Sequence, residues 1–165
     1  RHRRRLARAG REMTAALARV REPGVGPLTL WGGAAFWLVN LAISLTPVAA
    51  RYRADERIAY LPMLAAAAVG GLAIAAVVAL VLRRVHGRLW GAGPVLASVL
   101  LGGVALVVAT LLVEVPAKLV LPSPDPWRSL LTATIFNALR ILGLALAVGI
   151  RYQSAAPRGL KWQDC

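Results

Sequence analysis

Four apolar stretches dominate this chain, over residues 28–50, 58–82, 95–115 and 130–150. Each is long enough to cross a bilayer, because about 20 helical residues at roughly 1.5 Å each span the hydrocarbon core. Lipid supplies no hydrogen bonds, so a lone crossing segment has to satisfy its own backbone and does so as a helix. The chain is 58% hydrophobic, above the roughly 45–50% of soluble domains. The sequence therefore predicts an all-α polytopic membrane protein, with four transmembrane helices in an antiparallel bundle over 28–150. Residues 1–27 precede it as a cytoplasmic basic amphipathic helix and linker, and 151–165 follow as a cytoplasmic tail. The first span has no small-residue cleavage site before the charged loop, and reads as a retained helix rather than a signal peptide.

Charge sets the expected orientation. Eight arginines precede the first span; Arg83, Arg84 and Arg88 follow the second, and Arg151, Arg158 and Lys161 follow the fourth. The opposite side has only Arg51, Arg53, Arg57, Lys118 and Arg128. An excess of fourteen over five places both termini in the cytoplasm of a bacterial inner membrane. Aromatic residues suited to the two interfaces fall at the span ends: Trp31, Trp90, Tyr152 and Trp162 on one side, Tyr52, Tyr60 and Trp127 on the other. The net charge of +13 does not call for nucleic acid. Topology and anionic headgroups account for juxtamembrane arginines, and no recognition module accompanies them.

Over residues 4–21, Leu6, Ala9, Met13, Ala16, Leu17 and Val20 recur at spacings of three and four, with arginines around the other face. That pattern predicts a helix lying on anionic lipid, with Arg3, Arg4, Arg5, Arg8 and Arg11 as its contacts. A docking helix for a partner is the other reading.

Small residues mark the expected packing faces. Ala67, Gly71, Ala75 and Ala79 recur every four residues in the second span, and Ser98 and Gly102 share that spacing in the third. Lipid tails are as apolar as leucine, so spans associate by close backbone approach along such stripes. Spans two and three are expected to form a tight hairpin across their short connection. The first span carries Gly33, Trp37, Asn40 and Ser44, and Asn40 should seek a hydrogen bond on another helix. Pro47 leaves the Ile43 carbonyl without its donor and should bend the end of that span. Pro116, Pro122, Pro124 and Pro126 predict an extended connector between spans three and four.

Arg140 lies at the middle of the fourth span with Asn137 one turn earlier, and Glu114 ends the third. A guanidinium within hydrocarbon costs about 2.5–3.5 kcal/mol on insertion scales, so it calls for a partner or a wet cavity. Three arrangements answer that need: snorkelling or internal neutralisation by Glu114, carbonyls and Asn40; a role in assembly with a neighbouring subunit or cofactor; or a polar pocket for an anionic ligand or headgroup. No catalytic set accompanies these residues. His2 and His86 lie outside the spans and Cys165 is the only cysteine, so no metal or cofactor site is expected.

The expectation is a non-enzymatic accessory or scaffold subunit of a larger membrane complex, with lipids and other membrane subunits as partners. The four-span layout with a basic lead-in, in a chain opening on Arg1, is also similar to the membrane input regions of LytS-like sensor kinases. That layout implies a sensory or anchoring module of a longer protein. A small oligomeric transporter or lipid-handling protein is the third reading.

Overall fold

The computed structural model describes residues 23–85, 93–120 and 125–155. The basic segment with Arg3, Arg4, Arg5, Arg8 and Arg11, and the tail beyond residue 155, lie outside the described residues. Among the described residues every regular element is helical. The order is α1 (Val25–Ser44), α2 (Pro47–Asp55), α3 (Tyr60–Val85), α4 (Pro94–Ala109), a π-helical turn (Thr110–Glu114), α5 (Val115–Val120) and α6 (Pro126–Ala155). Four helical stretches are long and apolar enough to cross a membrane: α1, α3, α4 continued to Ala117, and α6.

The helices pack around α1 and α6. Gly32 meets Ala75 of α3 and Val148 of α6, and Gly71 lies under the Phe36 ring. Leu28, Val78, Leu82, Leu144 and Val148 form the apolar centre. The outer surface is bare leucine and valine: Leu38, Leu61, Val69, Leu111 and Leu112 are each more than half exposed. That is the reverse of a water-soluble surface, where such a patch would drive association.

Three features depart from the sequence reading, each for a local reason. The first span does not bend at Pro47 but stops at Ser44. The carbonyl of Ile43 instead accepts from the Thr46 N–H at 2.9 Å and the Thr46 hydroxyl at 2.7 Å. The same hydroxyl accepts from the Ala49 N–H at 3.2 Å and so caps α2, with Pro47 in its first turn. Residues 47–50 thus belong to a second, short helix.

Spans two and three do not form the tight hairpin. The small-residue stripe of α3 lies on α1, that of α4 lies on α6, and α3 touches α4 only sparsely. The third departure is Pro116, which lies inside helix α5 rather than in an extended connector. The Val115 N–H reaches back five residues to the carbonyl of Thr110. This widened turn falls just before a residue that has no N–H and whose ring would crowd a regular turn.

The turn from α2 to α3 runs through Arg57, which has a positive φ of 53°. The Ile58 N–H closes it onto the Arg53 carbonyl at 2.9 Å. This wrap of the chain over a helix end ordinarily falls to glycine.

Candidate functional site

Arg140, Asn137 and Glu114 come together on the seam between α6 and the end of the third span. Arg140 Nη1 donates to Asn137 Oδ1 at 2.9 Å, and Asn137 Nδ2 donates to Glu114 Oε1 at 2.8 Å. Asn137 and Arg140 share a face of α6 because they are one turn apart. Glu114 is the last residue of the π-helical turn, so the widened turn sets where its carboxylate points. The two opposite charges are joined through one neutral amide rather than in direct contact. Such charge-assisted bonds are stronger than neutral ones.

The rest of the guanidinium meets aromatic and unsatisfied ground. Its carbon lies 5.9 Å from the centre of the Phe136 ring, and that ring meets Tyr52 edge-on at 5.8 Å. Arg140 Nε is buried with no hydrogen-bond partner, as is Thr110 Oγ1.

Asn40 does not join this chain, nor does it find the bond on another helix that its sequence position suggested. Its carboxamide is fully buried, and neither the nitrogen nor the oxygen has a partner. Register explains why: the pairing of Gly32 with Ala75 and Phe36 with Gly71 brings Asn40 level with Ala67, which carries no polar side-chain atom.

Of the packing residues, Gly71, Ala75 and Ala79 are buried and Ala67 is half-buried. Gly102 lies against Ala145 and Ile141 of α6. One turn earlier, Ser98 donates its hydroxyl to the Ala145 carbonyl at 2.7 Å.

A second polar cluster lies where α2 meets the start of α6. Ser129 donates its hydroxyl to Glu56. Asp125 Oδ1 accepts from the Arg128 N–H at 3.1 Å, capping α6 ahead of Pro126. Sequence reading passed over this cluster, although Asp followed by Pro is itself a legible helix start. The link from Glu56 to Ser129 spans 73 positions, and no local pattern encodes it. Among the described residues no three His, Cys, Asp or Glu side chains gather as a metal site. Comparison with protein-family models, with curated proteins and with solved structures finds no match to this chain.

Proposed function

We propose that this protein is a non-enzymatic integral membrane subunit that receives a transmembrane helix of a larger partner in a bacterial inner membrane. One observation carries the reading. Between α3 and α4 runs an open furrow of about 410 Å³, lined almost wholly by apolar side chains such as Ala73, Val77, Val81, Val104, Ala105 and Val108. The seams of α1 with α3 and of α4 with α6 have glycine and alanine in contact, whereas α3 and α4 touch only sparsely. The lining is aliphatic throughout, with Ala73, Ala105 and Ala109 set among branched side chains, a ridged apolar surface against which another helix can pack. Arg140 is already engaged within the chain, so it serves the interior of the subunit and leaves the furrow free of charge.

The proposed topology is a four-span antiparallel bundle with both termini cytoplasmic, as the excess of basic residues favours. The N-terminal arginines then rest on anionic headgroups of the cytoplasmic leaflet. Purification of the native chain and of Val77→Trp in mild detergent tests the subunit reading. The native chain should bring a membrane polypeptide in fixed ratio, and the indole filling the furrow should release it several-fold at unchanged thermal stability. A partner retained by Val77→Trp, or a native chain that purifies alone, overturns it.

A sensory module is the second reading, favoured by the polar cluster between α2 and α6. It requires a ligand at that end.

A further inference from the structure

The cluster between α2 and α6 borders an open cleft of about 320 Å³ whose walls carry both signs of charge. Arg51, Asp55 and Glu56 line it from α2, and Asp125, Arg128 and Ser129 from the start of α6. Arg51 and Asp55 are one turn apart and share a face of α2. Two of the carboxylates already have structural work: Asp125 caps α6, and Glu56 accepts from Ser129. Arg51, Asp55 and the Arg128 guanidinium close no ion pair with one another among the described residues. The cleft thus presents exposed charge of both signs around a space sized for a small molecule.

Its depth follows from helix geometry. Arg140 is near the midpoint of the 30-residue α6, and Arg128 is twelve residues nearer the start, about 18 Å along the axis. With half a hydrocarbon core measuring roughly 15 Å, the cleft lies at headgroup level when Arg140 lies at mid-membrane. Trp127 beside it is 80% exposed, and Tyr60 lies at the same end of the helices, as interfacial aromatics do. Tyr52 forms part of the lining and meets Phe136, the ring beneath Arg140.

We propose that this cleft binds a zwitterion that carries an ammonium and a phosphate or other oxyanion a few bonds apart. The oxyanion lies between Arg51 and Arg128, where two guanidiniums can each offer paired donors. The ammonium lies against Asp55. A simple anion would face three carboxylates, and a simple cation two guanidiniums, so neither half alone suits the walls. The chemistry is that of a phosphoethanolamine headgroup, supplied either by a bilayer lipid or by a free solute. This inference does not depend on the furrow or on its occupant.

The test uses the full chain in phosphatidylglycerol nanodiscs and measures calorimetric binding of phosphoethanolamine, glycerol 3-phosphate and ethanolamine. Phosphoethanolamine should bind at least tenfold more tightly than either single-charge probe. Arg128→Gln and Asp55→Asn should each weaken it about tenfold, with helicity and thermal midpoint checked alongside. A second arm measures which lipids stay with the protein released from nanodiscs of mixed phosphatidylethanolamine and phosphatidylglycerol. Enrichment of phosphatidylethanolamine identifies a lipid source; soluble binding without enrichment identifies a free zwitterion. Equal binding of glycerol 3-phosphate or ethanolamine overturns the proposal. So does indifference of binding to both substitutions, or the absence of both binding and enrichment.

Discussion

The two faces of α3 are both apolar and meet opposite surroundings. On one face Gly71, Ala75 and Ala79 are pressed against neighbouring helices, with a Cβ on Gly71 falling 2.7 Å from the Phe36 ring. On the other, Ala73, Val77 and Val81 look into the open furrow toward α4. Gly70, one residue from Gly71, has nothing within 4 Å of where its Cβ would lie. Small residues therefore mark where backbones can approach, but they do not say which approach a single chain completes. The completed contacts have their partners inside the subunit. The open one is where the proposed partner helix would lie.

The contrast breaks most readily at the tightest seam. A Cβ on Gly149 would lie 2.7 Å from Val95 Cα, which is backbone and cannot swing aside. Gly149→Ala should lower stability by about 3 kcal/mol, the upper range for overpacking, as measured by reversible unfolding in detergent micelles. Gly70→Ala should lose no stability and gain up to about 1 kcal/mol, since its Cβ meets nothing and alanine suits a helix interior better. Equal losses at both sites would erase the distinction between a closed seam and an open helix surface.

Next in size is the polar chain. Arg140→Leu strands Asn137 and a half-buried Glu114, and should cost about 2–3 kcal/mol, below the full penalty of a deeply buried pair. Arg140→Lys should recover only part of this, lacking the planar fork. Combining Arg140→Leu with Glu114→Gln should cost less than the sum of the two, since a double-mutant cycle reads their coupling through Asn137. Strict additivity would mean the two charges do not sense each other.

Asn40 should behave oppositely. With both ends of its carboxamide unpartnered, Asn40→Leu removes two buried polar groups and should stabilise the fold by about 1 kcal/mol. A loss of stability would mean the carboxamide has a polar partner in the membrane. The smallest effect belongs to Arg57. Arg57→Gly relieves a left-handed residue and should gain roughly 0.5–1 kcal/mol in the same unfolding assay.

Much of the fold was legible because lipid leaves a crossing chain so few options. Hydropathy alone delimits four spans; α6 contains the stretch read from it, and α3 covers all but the first two residues of its own. The partners of those spans were not legible. A stripe such as Ala67 to Ala79 specifies a smooth face, and only the whole packing decides whether α1 or α4 covers it. Pro47 was read as bending the first span, whereas the Thr46 hydroxyl, by taking the orphaned Ile43 carbonyl, ends that span at Ser44 and starts a new helix. At residue 116 the widened turn absorbed the proline instead, a rearrangement that residue spacing does not announce. The candidate site divided the same way. Arg140, Asn137 and Glu114 stand out as polar residues in apolar runs, whereas the cleft of Arg51, Asp55 and Arg128 assembles loop-end charges that look like ordinary flanking residues.

The central claim is that the furrow between α3 and α4 receives a helix from another polypeptide. Photo-crosslinking in native membranes tests it most directly, with a diazirine side chain at Val104 in the furrow and at Leu38 on the exposed outer side of α1. The account predicts a discrete polypeptide adduct from residue 104 and only lipid adducts from residue 38. Lipid adducts alone at both positions would contradict it.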